Sequence, residues 1–352
     1  MTSPRPVVLV AGDFQHDIYE PAFCRGLRAS GAIVHELHAR RWLGPTDLLF
    51  RAQSRLVAGP GVLALRAAFV ARCASERPDV VLAWRAPWLS PRTLELARRA
   101  GARRIVLYNN DDPFGPDRDL RIWRRFRRSI PAADAVYVYR RVNLDEARDA
   151  GARRVGLLRS YFDPAVHRPL PSEDAALSSF ASDVVFVGHY EPDGRAEAME
   201  ALARTTLRVR LFGTGWDAVA DRPALAPLLP APRVGGDDYV RAIQASRVAL
   251  VFLSGRNRDE YTRRCFEIPA IGTAMLAPRN DEMRELFRDG EEVALYGTVD
   301  ELVSRARALC EDDTLRERIA LGGAARCRMD GHDVVSRAAS WLRAELEEPV
   351  AG

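Results

Sequence analysis

The segment from Thr262 to Leu276 combines charged side chains with the pattern of a short helix followed by a strand. Arg263 and Arg264 come just before Glu267, and Gly272 ends the helical stretch. At the carboxyl end of a parallel strand, beside a helix N-terminus, a carboxylate can accept hydrogen bonds from vicinal hydroxyls such as those of a ribose. Guanidinium groups pair with phosphate through two parallel hydrogen bonds. The segment therefore predicts a binding site for a nucleoside diphosphate.

Each of these residues also has an ordinary structural interpretation. A glutamate in the first turn of a helix is stabilised by the helix dipole by ~0.3–1 kcal/mol. All 52 basic residues of the chain are arginines, so Arg263 or Arg264 can equally be a solvated side chain. The spacing of Glu267 from Gly272 alone does not decide between a binding role and a structural one.

Further candidates for the same ligand lie in three loops of the second half of the chain. A glycine-containing loop that begins at Gly188 leads to Arg195, and its backbone N–H groups can face an anion. Gly213 and Gly215 follow a predicted strand but lack the third glycine of a dinucleotide-binding motif, so they indicate a tight turn beside the site. Val234 lies in a glycine-rich loop, which can equally be a plain turn before the helix that carries Tyr239. Plain loops with a surface arginine remain the alternative.

Two loops of the first half hold candidate catalytic residues. Asp13 and His16 follow the first predicted strand, and Asp111 and Asp112 follow the fourth. Because active sites gather at the carboxyl ends of parallel strands, one of these side chains can remove a proton from an attacking hydroxyl. The alternatives are a helix cap for Asp111, an Asp-Pro turn for Asp112 and an exposed loop histidine for His16.

Composition excludes several classes of chemistry. Without lysine, the chain has no Walker-A lysine and no lysine Schiff base. Its formal net charge is only +4, which does not favour nucleic-acid binding. The five cysteines are scattered, without a C-x-x-C motif, so we expect neither disulfides nor a zinc site and infer a cytoplasmic protein. We predict no metal and no cofactor.

The elements that must position these residues follow an alternating pattern. Short apolar runs alternate with amphipathic stretches, which predicts parallel α/β architecture. A segment rich in proline and serine interrupts the alternation. We predict a first domain over 1–165, a linker over 166–182, a second domain over 183–332, and a C-terminal helix within 333–352 that packs back on the first domain.

The second half also resembles a known family. Its ordered pieces are Asp183–Gly188, Leu211–Trp216, Arg264–Glu267 and Glu282–Phe287, with Tyr108–Phe114 as a weaker piece in the first half. Together they resemble GT-B glycosyltransferases, and within them the CgeB-like (spore maturation protein B-like) group. The resemblance implies two Rossmann-like domains facing across a cleft.

The resemblance also implies an activity. The second domain would bind a nucleotide-diphosphate sugar, and the first would present a small-molecule, glycan or protein acceptor. Glu267 would then hold the ribose, and backbone groups at Val234 would meet the nucleobase. Asp259 stands where many retaining members carry a glutamate, which leaves the stereochemical class open. The alternatives are another nucleotide-sugar enzyme, such as an epimerase, and a degenerate protein that only binds its ligand.

A run of six arginines lies between Arg118 and Arg128. Leu120, Trp123, Phe126 and Ile130 mark an apolar face at helical spacing, so the arginines belong to the opposite face of an amphipathic helix. This face is either simply solvated or contacts an anionic membrane surface, which would place the protein at the inner face of a membrane.

Overall fold

The structure, a computed structural model, describes residues 5–44 and 47–347. The chain forms two compact units. Residues up to Arg159 and from Val334 onward make the first, and Ser160–Asp333 make the second. The segment 166–182 lies within the second unit, where the backbone N–H of Leu170 donates to Gln244 at 2.7 Å.

The first unit is built on a six-stranded parallel sheet in the order β2-β1-β3-β4-β5-β6. Its four inner strands are buried and mostly apolar, as expected of parallel strands covered on both faces, whereas the two edge strands are partly exposed. They are β1 Val7–Gly12, β2 Ile33–His38, β3 Val80–Trp84, β4 Ile105–Asn109, β5 Ala135–Val138 and β6 Val155–Leu157.

Helices connect these strands and cover the sheet. They are α1 Glu20–Ala29, α2 Asp47–Leu56, α3 Pro60–Glu76, α4 Pro91–Ala100, α5 Arg121–Ser129 and α6 Val142–Asp149. The Ser90 side chain caps α4 by accepting a hydrogen bond from the backbone N–H of Thr93, which satisfies one of the free donors of the first turn. Short 3₁₀ turns occupy Ala39–Arg41 and Ile130–Ala132.

The second unit carries a five-stranded parallel sheet in the order β11-β10-β9-β7-β8. Its strands are β7 Ser182–Val187, β8 Val209–Phe212, β9 Ser246–Leu250, β10 Ala274–Pro278 and β11 Ala294–Tyr296. Its helices are α7 Leu177–Phe180, α8 Arg195–Ala203, α9 Asp237–Gln244, α10 Arg264–Ile271, α11 Asp281–Leu286, α12 Val299–Glu311 and α13 Asp313–Met329. Further 3₁₀ turns span Trp216–Val219 and Pro223–Leu228.

The last helix, α14 Val334–Glu347, belongs to the first unit and packs against α1. A side-chain carbon at Gly26 would lie 2.6 Å from the carbonyl oxygen of Val334, so only glycine allows the close approach of the two helices. Glu345 of α14 is buried and accepts a hydrogen bond from the Tyr137 hydroxyl at 2.6 Å. Arg154 and Arg104 compensate its charge, as a buried carboxylate requires.

The sequence prediction of parallel α/β architecture in two Rossmann-like domains is confirmed. The arginine-rich segment forms α5 as predicted, with Phe126 and Ile130 buried, but Leu120 is 47% exposed because it precedes the helix. Among the described residues no single helix is long and apolar enough to span a membrane, although Leu48–Leu56 and Pro60–Glu76, bent by 72°, satisfy length and composition together.

Candidate functional site

In the second unit the loops after β7 and β9 meet. These strands are neighbours in the sheet, yet β8 lies on the outer side of β7, so the chain leaves the two strands in opposite directions. Such a switch point is where open α/β sheets bind ligands. The Ser254 hydroxyl donates to Glu191 Oε2 at 2.6 Å and joins the two loops.

Arg195 begins α8 and is buried in this region. Its Nε donates to Asp193 Oδ1 at 2.7 Å, its Nη2 pairs with the same carboxylate, and its Nη1 donates to the carbonyl oxygen of His189 at 2.6 Å. These hydrogen bonds fix the conformation of the loop after β7. Asp193 compensates the positive charge of the guanidinium. The predicted contact of Arg195 with a phosphate stays a prediction.

Gly188 and Gly213 allow the loops after β7 and β8 to touch. Gly213 has a φ of 143°, and a side-chain carbon there would lie 2.0 Å from the carbonyl oxygen of Gly188. That same carbonyl accepts a hydrogen bond from Trp216 Nε1 at 2.9 Å. Backbone, not side chains, therefore forms this part of the surface.

A cavity of about 580 Å³ opens beside these glycines. Gly213, Gly215 and Arg233 line it, and Gly215 has a φ of 80°, a conformation that favours glycine. Val234, half-buried, follows directly after Arg233. The cavity is large enough for a drug-sized ligand. The glycine-containing turn that the sequence predicts beside the site therefore borders a cavity that can hold a ligand.

Glu267 lies in the first turn of α10 and is 1% exposed. The Tyr239 hydroxyl donates to its Oε2 at 2.6 Å. Its Oε1 lies 3.5 Å from His167 Nε2 and 3.5 Å from Arg263 Nε. A carboxylate offers about four acceptor positions, so a ribose hydroxyl can still bind Glu267 beside these partners.

Electrostatics keep Glu267 ionised despite its burial. Burial by itself raises the pKa of the carboxyl, but the charges of Arg263, His167 and Arg264, with the hydrogen bond from Tyr239, lower it below its ordinary value. Burial and the neighbouring carboxylate raise the pKa of Tyr239 well above its usual range, so Tyr239 remains a hydrogen-bond donor. Glu267 is therefore a fixed negative charge with the positive charges of Arg263 and Arg264 beside it.

Arg264 carries the more available of the two guanidinium groups. Its Nε is buried and has no hydrogen-bond partner within the described residues, whereas Arg263 faces Glu267. A buried donor without a partner is costly, and an anionic ligand would satisfy it. Asp259 and Glu260 are half-buried in the preceding loop, where the Glu260 carbonyl accepts a hydrogen bond from Asn280 at 2.8 Å.

In the first unit, Asp13 lies at the corresponding switch point between β1 and β3. Its backbone N–H donates at 3.1 Å to Glu20 Oε1, and burial raises the pKa of Glu20 against the effect of such hydrogen bonds. Phe14 and Arg85, in the loops after β1 and β3, have φ angles of 56° and 46°. Left-handed backbone at non-glycine residues is strained and is often found at functional sites.

Asp111 joins this region through an ion pair with Arg85, whose Nη2 lies 2.9 Å from Asp111 Oδ2. Asp112 is placed differently, because it is 4% exposed and its Oδ1 accepts hydrogen bonds from the Phe114 N–H and from Asn143 Nδ2. Those contacts fit the turn interpretation of Asp112. His16 is exposed and its ring packs edge-on against Tyr19.

Sequence reasoning missed the partners that hold these groups. Tyr239 and His167 lie far from Glu267 in sequence, and Arg85 lies far from Asp111. In the sequence, Arg85 is recognisable only as a residue that follows a predicted strand. Tyr239 is recognisable only as a residue near the start of a predicted helix. Across residues 5–44 and 47–347, no group of three or more His, Cys, Asp or Glu side chains is placed to hold a metal ion.

Part of the sequence matches a known protein family, and most candidate residues of the second unit lie in that part. Residues 195–343 match the family model described as Glycosyl transferase-like. This range contains Glu267, Arg263, Arg264, the glycines after β8 and Val234. No curated protein matches the sequence significantly.

Solved structures match along nearly the whole chain. HepE of Anabaena, solved with UDP and glucose, is 16% identical with a TM-score of 0.66, covering 98% of this chain and 100% of HepE. Sucrose-phosphate synthase of Thermosynechococcus elongatus is 12% identical with a TM-score of 0.69, covering 98% and 99%. A Listeria monocytogenes protein assigned as a UDP-N-acetylglucosamine 2-epimerase is 12% identical with a TM-score of 0.58, covering 98% of each chain. At these identities the matches establish the fold, two Rossmann-like units as in GT-B glycosyltransferases.

Proposed function

We propose that the protein is a glycosyltransferase of hexosyltransferase type that moves a sugar from a nucleoside-diphosphate sugar to an acceptor. The observation that carries the proposal is the Glu267 cluster, a buried ionised carboxylate in the first turn of α10 with two arginines beside it. It lies inside the segment that matches the glycosyltransferase-like family. Membership of the CgeB-like group is part of the same proposal.

In this mechanism the second unit binds the donor. Glu267 Oε1 accepts a hydrogen bond from a ribose hydroxyl, and Arg264 pairs with the diphosphate. Backbone N–H groups of the glycine-containing loops add donors. As the bond from the sugar to the diphosphate breaks, these fixed donors stabilise the charge that develops on the leaving group. No metal is required for this step.

The first unit would supply the acceptor and its base. Asp13 follows β1 and Asp111 follows β4, two parallel strands of the same sheet that are separated by β3. Asp111 is paired with Arg85, which orients its carboxylate. Removal of a general base typically lowers turnover ~10²–10⁴-fold. Single alanine variants of Asp13, His16, Asp111 and Asp112 identify the base. It is the residue whose variant loses turnover but keeps its nucleotide affinity.

Nucleotide binding tests the donor site directly. A ligand that binds the native state raises its stability by mass action, so thermal unfolding with UDP, GDP and dTDP should identify the base. We expect Glu267→Ala to weaken binding of that nucleotide by about 1.5–3 kcal/mol, the contribution of a hydrogen bond to a charged group. The exposed Glu285→Ala is the matched control. Equal calorimetric affinity of both variants would refute the donor site.

An epimerase is the second candidate, favoured by the structural match to the Listeria protein. Both enzymes bind a nucleotide sugar, so binding does not separate them. The products do, because a transferase needs an acceptor and releases the nucleoside diphosphate, whereas an epimerase returns an isomeric nucleotide sugar without one. A protein that binds the donor and forms neither product is the non-catalytic alternative.

A further inference from the structure

His167 lies in the segment 166–182, which the sequence predicts as a linker and the structure places within the second unit. Its side chain is buried. A single turn holds it, because the His167 backbone N–H donates to the Asp163 carbonyl oxygen at 2.7 Å. In return, the backbone N–H of Asp163 donates to His167 Nδ1 at 2.9 Å. The imidazole ring is therefore fixed by the turn from which it projects.

These contacts determine which ring nitrogen of His167 carries the hydrogen at neutral pH. A nitrogen that accepts a hydrogen bond has no hydrogen of its own, so the other nitrogen of the ring carries it. Since Nδ1 accepts from the Asp163 N–H, the hydrogen is on Nε2. That atom lies 3.5 Å from Glu267 Oε1. The Tyr239 ring packs edge-on against the imidazole, with the ring centroids 6.0 Å apart, and limits its rotation.

The two oxygens of Glu267 have different surroundings. Oε2 accepts a hydrogen bond of 2.6 Å from the Tyr239 hydroxyl. Oε1 lies 3.5 Å from His167 Nε2 and 3.5 Å from Arg263 Nε, which is too long for a strong hydrogen bond. Oε1 is therefore oriented by its neighbours and keeps its capacity to accept a short hydrogen bond from a ligand hydroxyl.

We propose that His167 is a positioning residue of the donor site, where its Nε2–H holds the Glu267 carboxylate so that Oε1 receives a ribose hydroxyl. This role rests on the proposed binding of a nucleoside diphosphate at Glu267. A binding group whose orientation is fixed by surrounding side chains binds more tightly, because less freedom is lost when the ligand arrives. Without the Nε2–H, part of the hydrogen bond to the ribose is spent on ordering the carboxylate.

Two substitutions separate the two hydrogen-bonding functions of the ring. The amide nitrogen of glutamine is as many bonds from Cα as Nε2 of histidine is, so His167→Gln keeps a donor toward Glu267 and loses the acceptor for the Asp163 N–H. The amide oxygen of asparagine matches Nδ1 in the same way. His167→Asn therefore keeps the acceptor that holds the turn and loses the donor toward Glu267.

Calorimetry on the wild type and on both variants measures the effect. The ligands are UDP, GDP or dTDP, whichever binds the wild type most tightly, and the 2′,3′-dideoxy form of the same nucleotide. The wild type should prefer the form with ribose hydroxyls by about tenfold or more, since a hydrogen bond to a charged group contributes at least that factor. His167→Gln should keep this preference, and His167→Asn should lose most of it.

A purely structural role of His167 predicts the opposite order. The turn needs the acceptor, so His167→Gln would then be the less stable variant in thermal unfolding, and each variant would bind both nucleotide forms with equally reduced affinity. An unchanged preference in His167→Asn, or its loss in a folded His167→Gln, overturns the proposal. If no nucleotide binds the wild type, the donor site itself is refuted, and this role with it.

Nitrogen NMR of the wild type, with ¹⁵N-labelled histidine, tests the role if His167→Asn does not fold. The His167 signals are those absent from the spectrum of the folded glutamine variant, or of the asparagine variant if only that one folds. We expect a hydrogen on Nε2 and a resonance that shifts with the nucleotide and much less with its dideoxy form. A hydrogen on Nδ1, or equal shifts with both forms, would contradict the positioning role while nucleotide binding stands.

Discussion

Glu267 is a buried carboxylate, so its replacement affects folding as well as the proposed binding of a nucleotide. The side chain is 1% exposed, Arg263 Nε compensates its charge at 3.5 Å, and His167 Nε2 lies at the same distance. Removing one partner from a buried ion pair leaves an uncompensated charge and is strongly destabilising. Glu267→Ala should therefore lower stability as well as nucleotide affinity, whereas the sequence alone indicated an effect on nucleotide binding with little effect on folding.

The pH dependence of stability tests the charge state of Glu267. Its pKa in the folded protein lies below the ordinary value of 4.5. The ionised form is therefore favoured in the folded state, so its stabilisation is complete above about pH 4.5 and is lost as the pH falls through the lower folded-state pKa. The free-energy difference between wild type and Glu267→Gln should shrink between pH 5 and pH 3.

Calorimetric unfolding of both proteins across this range measures the difference. Glu285→Gln, which alters an exposed carboxylate of the same unit, serves as the control and should show no comparable change. A difference that grows on acidification would mean that the folded protein favours the protonated form of Glu267.

At the scale of elements, the contact between the loops after β7 and β8 depends on glycine. Gly213 combines a φ of 143° with a distance of 2.0 Å from a built side-chain carbon to the Gly188 carbonyl oxygen. Alanine there must shift the backbone of both loops. Substitutions incompatible with the native backbone destabilise by more than about 1 kcal/mol.

We expect Gly213→Ala to lower the free energy of unfolding by more than that amount and to weaken nucleotide binding. Gly235→Ala is the matched variant, since nothing lies within 4 Å of its built side-chain carbon, and it should change stability little. Denaturation of the two variants in parallel gives the comparison. Equal stability of the two variants would mean that the loops after β7 and β8 can move apart without loss of stability.

Helix α5 carries the arginine-rich face whose role the sequence left open. Arg121, Arg124 and Arg128 are exposed, and α2, which packs against α5, exposes Leu48 and Leu56 to 77% and 51%. Charged and apolar groups side by side favour an anionic membrane surface.

Co-sedimentation with phosphatidylserine vesicles tests this contact. Each arginine near such a surface contributes about 1 kcal/mol, so replacing these three by glutamine should strongly reduce binding. The same replacement at the exposed Arg307, Arg328 and Arg343 removes equal charge elsewhere and should have a smaller effect. Equal losses in both variants would indicate attraction by net charge alone, and no binding by the wild type would leave α5 a solvated face.

At the scale of the whole molecule, both units share one topology. In each sheet the second strand lies outside the first, and the third and later strands continue on the other side. Each sheet therefore has one switch point, with Asp13 at that of the first unit and Arg195 at that of the second. Open α/β sheets bind ligands at such points, so each unit offers one position of this kind.

In the proposed glycosyl transfer, the charge of the leaving diphosphate must be compensated by groups from several parts of the molecule. We propose that arginines and helix N-termini carry it, so glycosyl transfer should survive excess EDTA. Turnover with and without the chelator measures this, with a control that restores manganese or magnesium. Loss of transfer on chelation and recovery with either metal would contradict the proposal and assign the charge compensation to a bound ion.

The sequence by itself determined the alternation of strands and helices, and with it the two parallel sheets. Periodicity and glycine positions are local, and backbone sterics act on them directly. It also placed Asp13, Asp111 and Glu267 correctly at the ends of elements, because a strand end or a first helical turn can be located from neighbouring residues.

Only the tertiary structure decided which of these side chains have partners. Arg195 is engaged by Asp193, and Asp112 by Asn143, whereas the buried atoms Asp13 Oδ1 and Ser54 Oγ have no hydrogen-bond partner within the described part of the chain. Such differences depend on contacts between residues that are distant in sequence. The order of strands in the sheet brings those residues together, and a local pattern does not encode it.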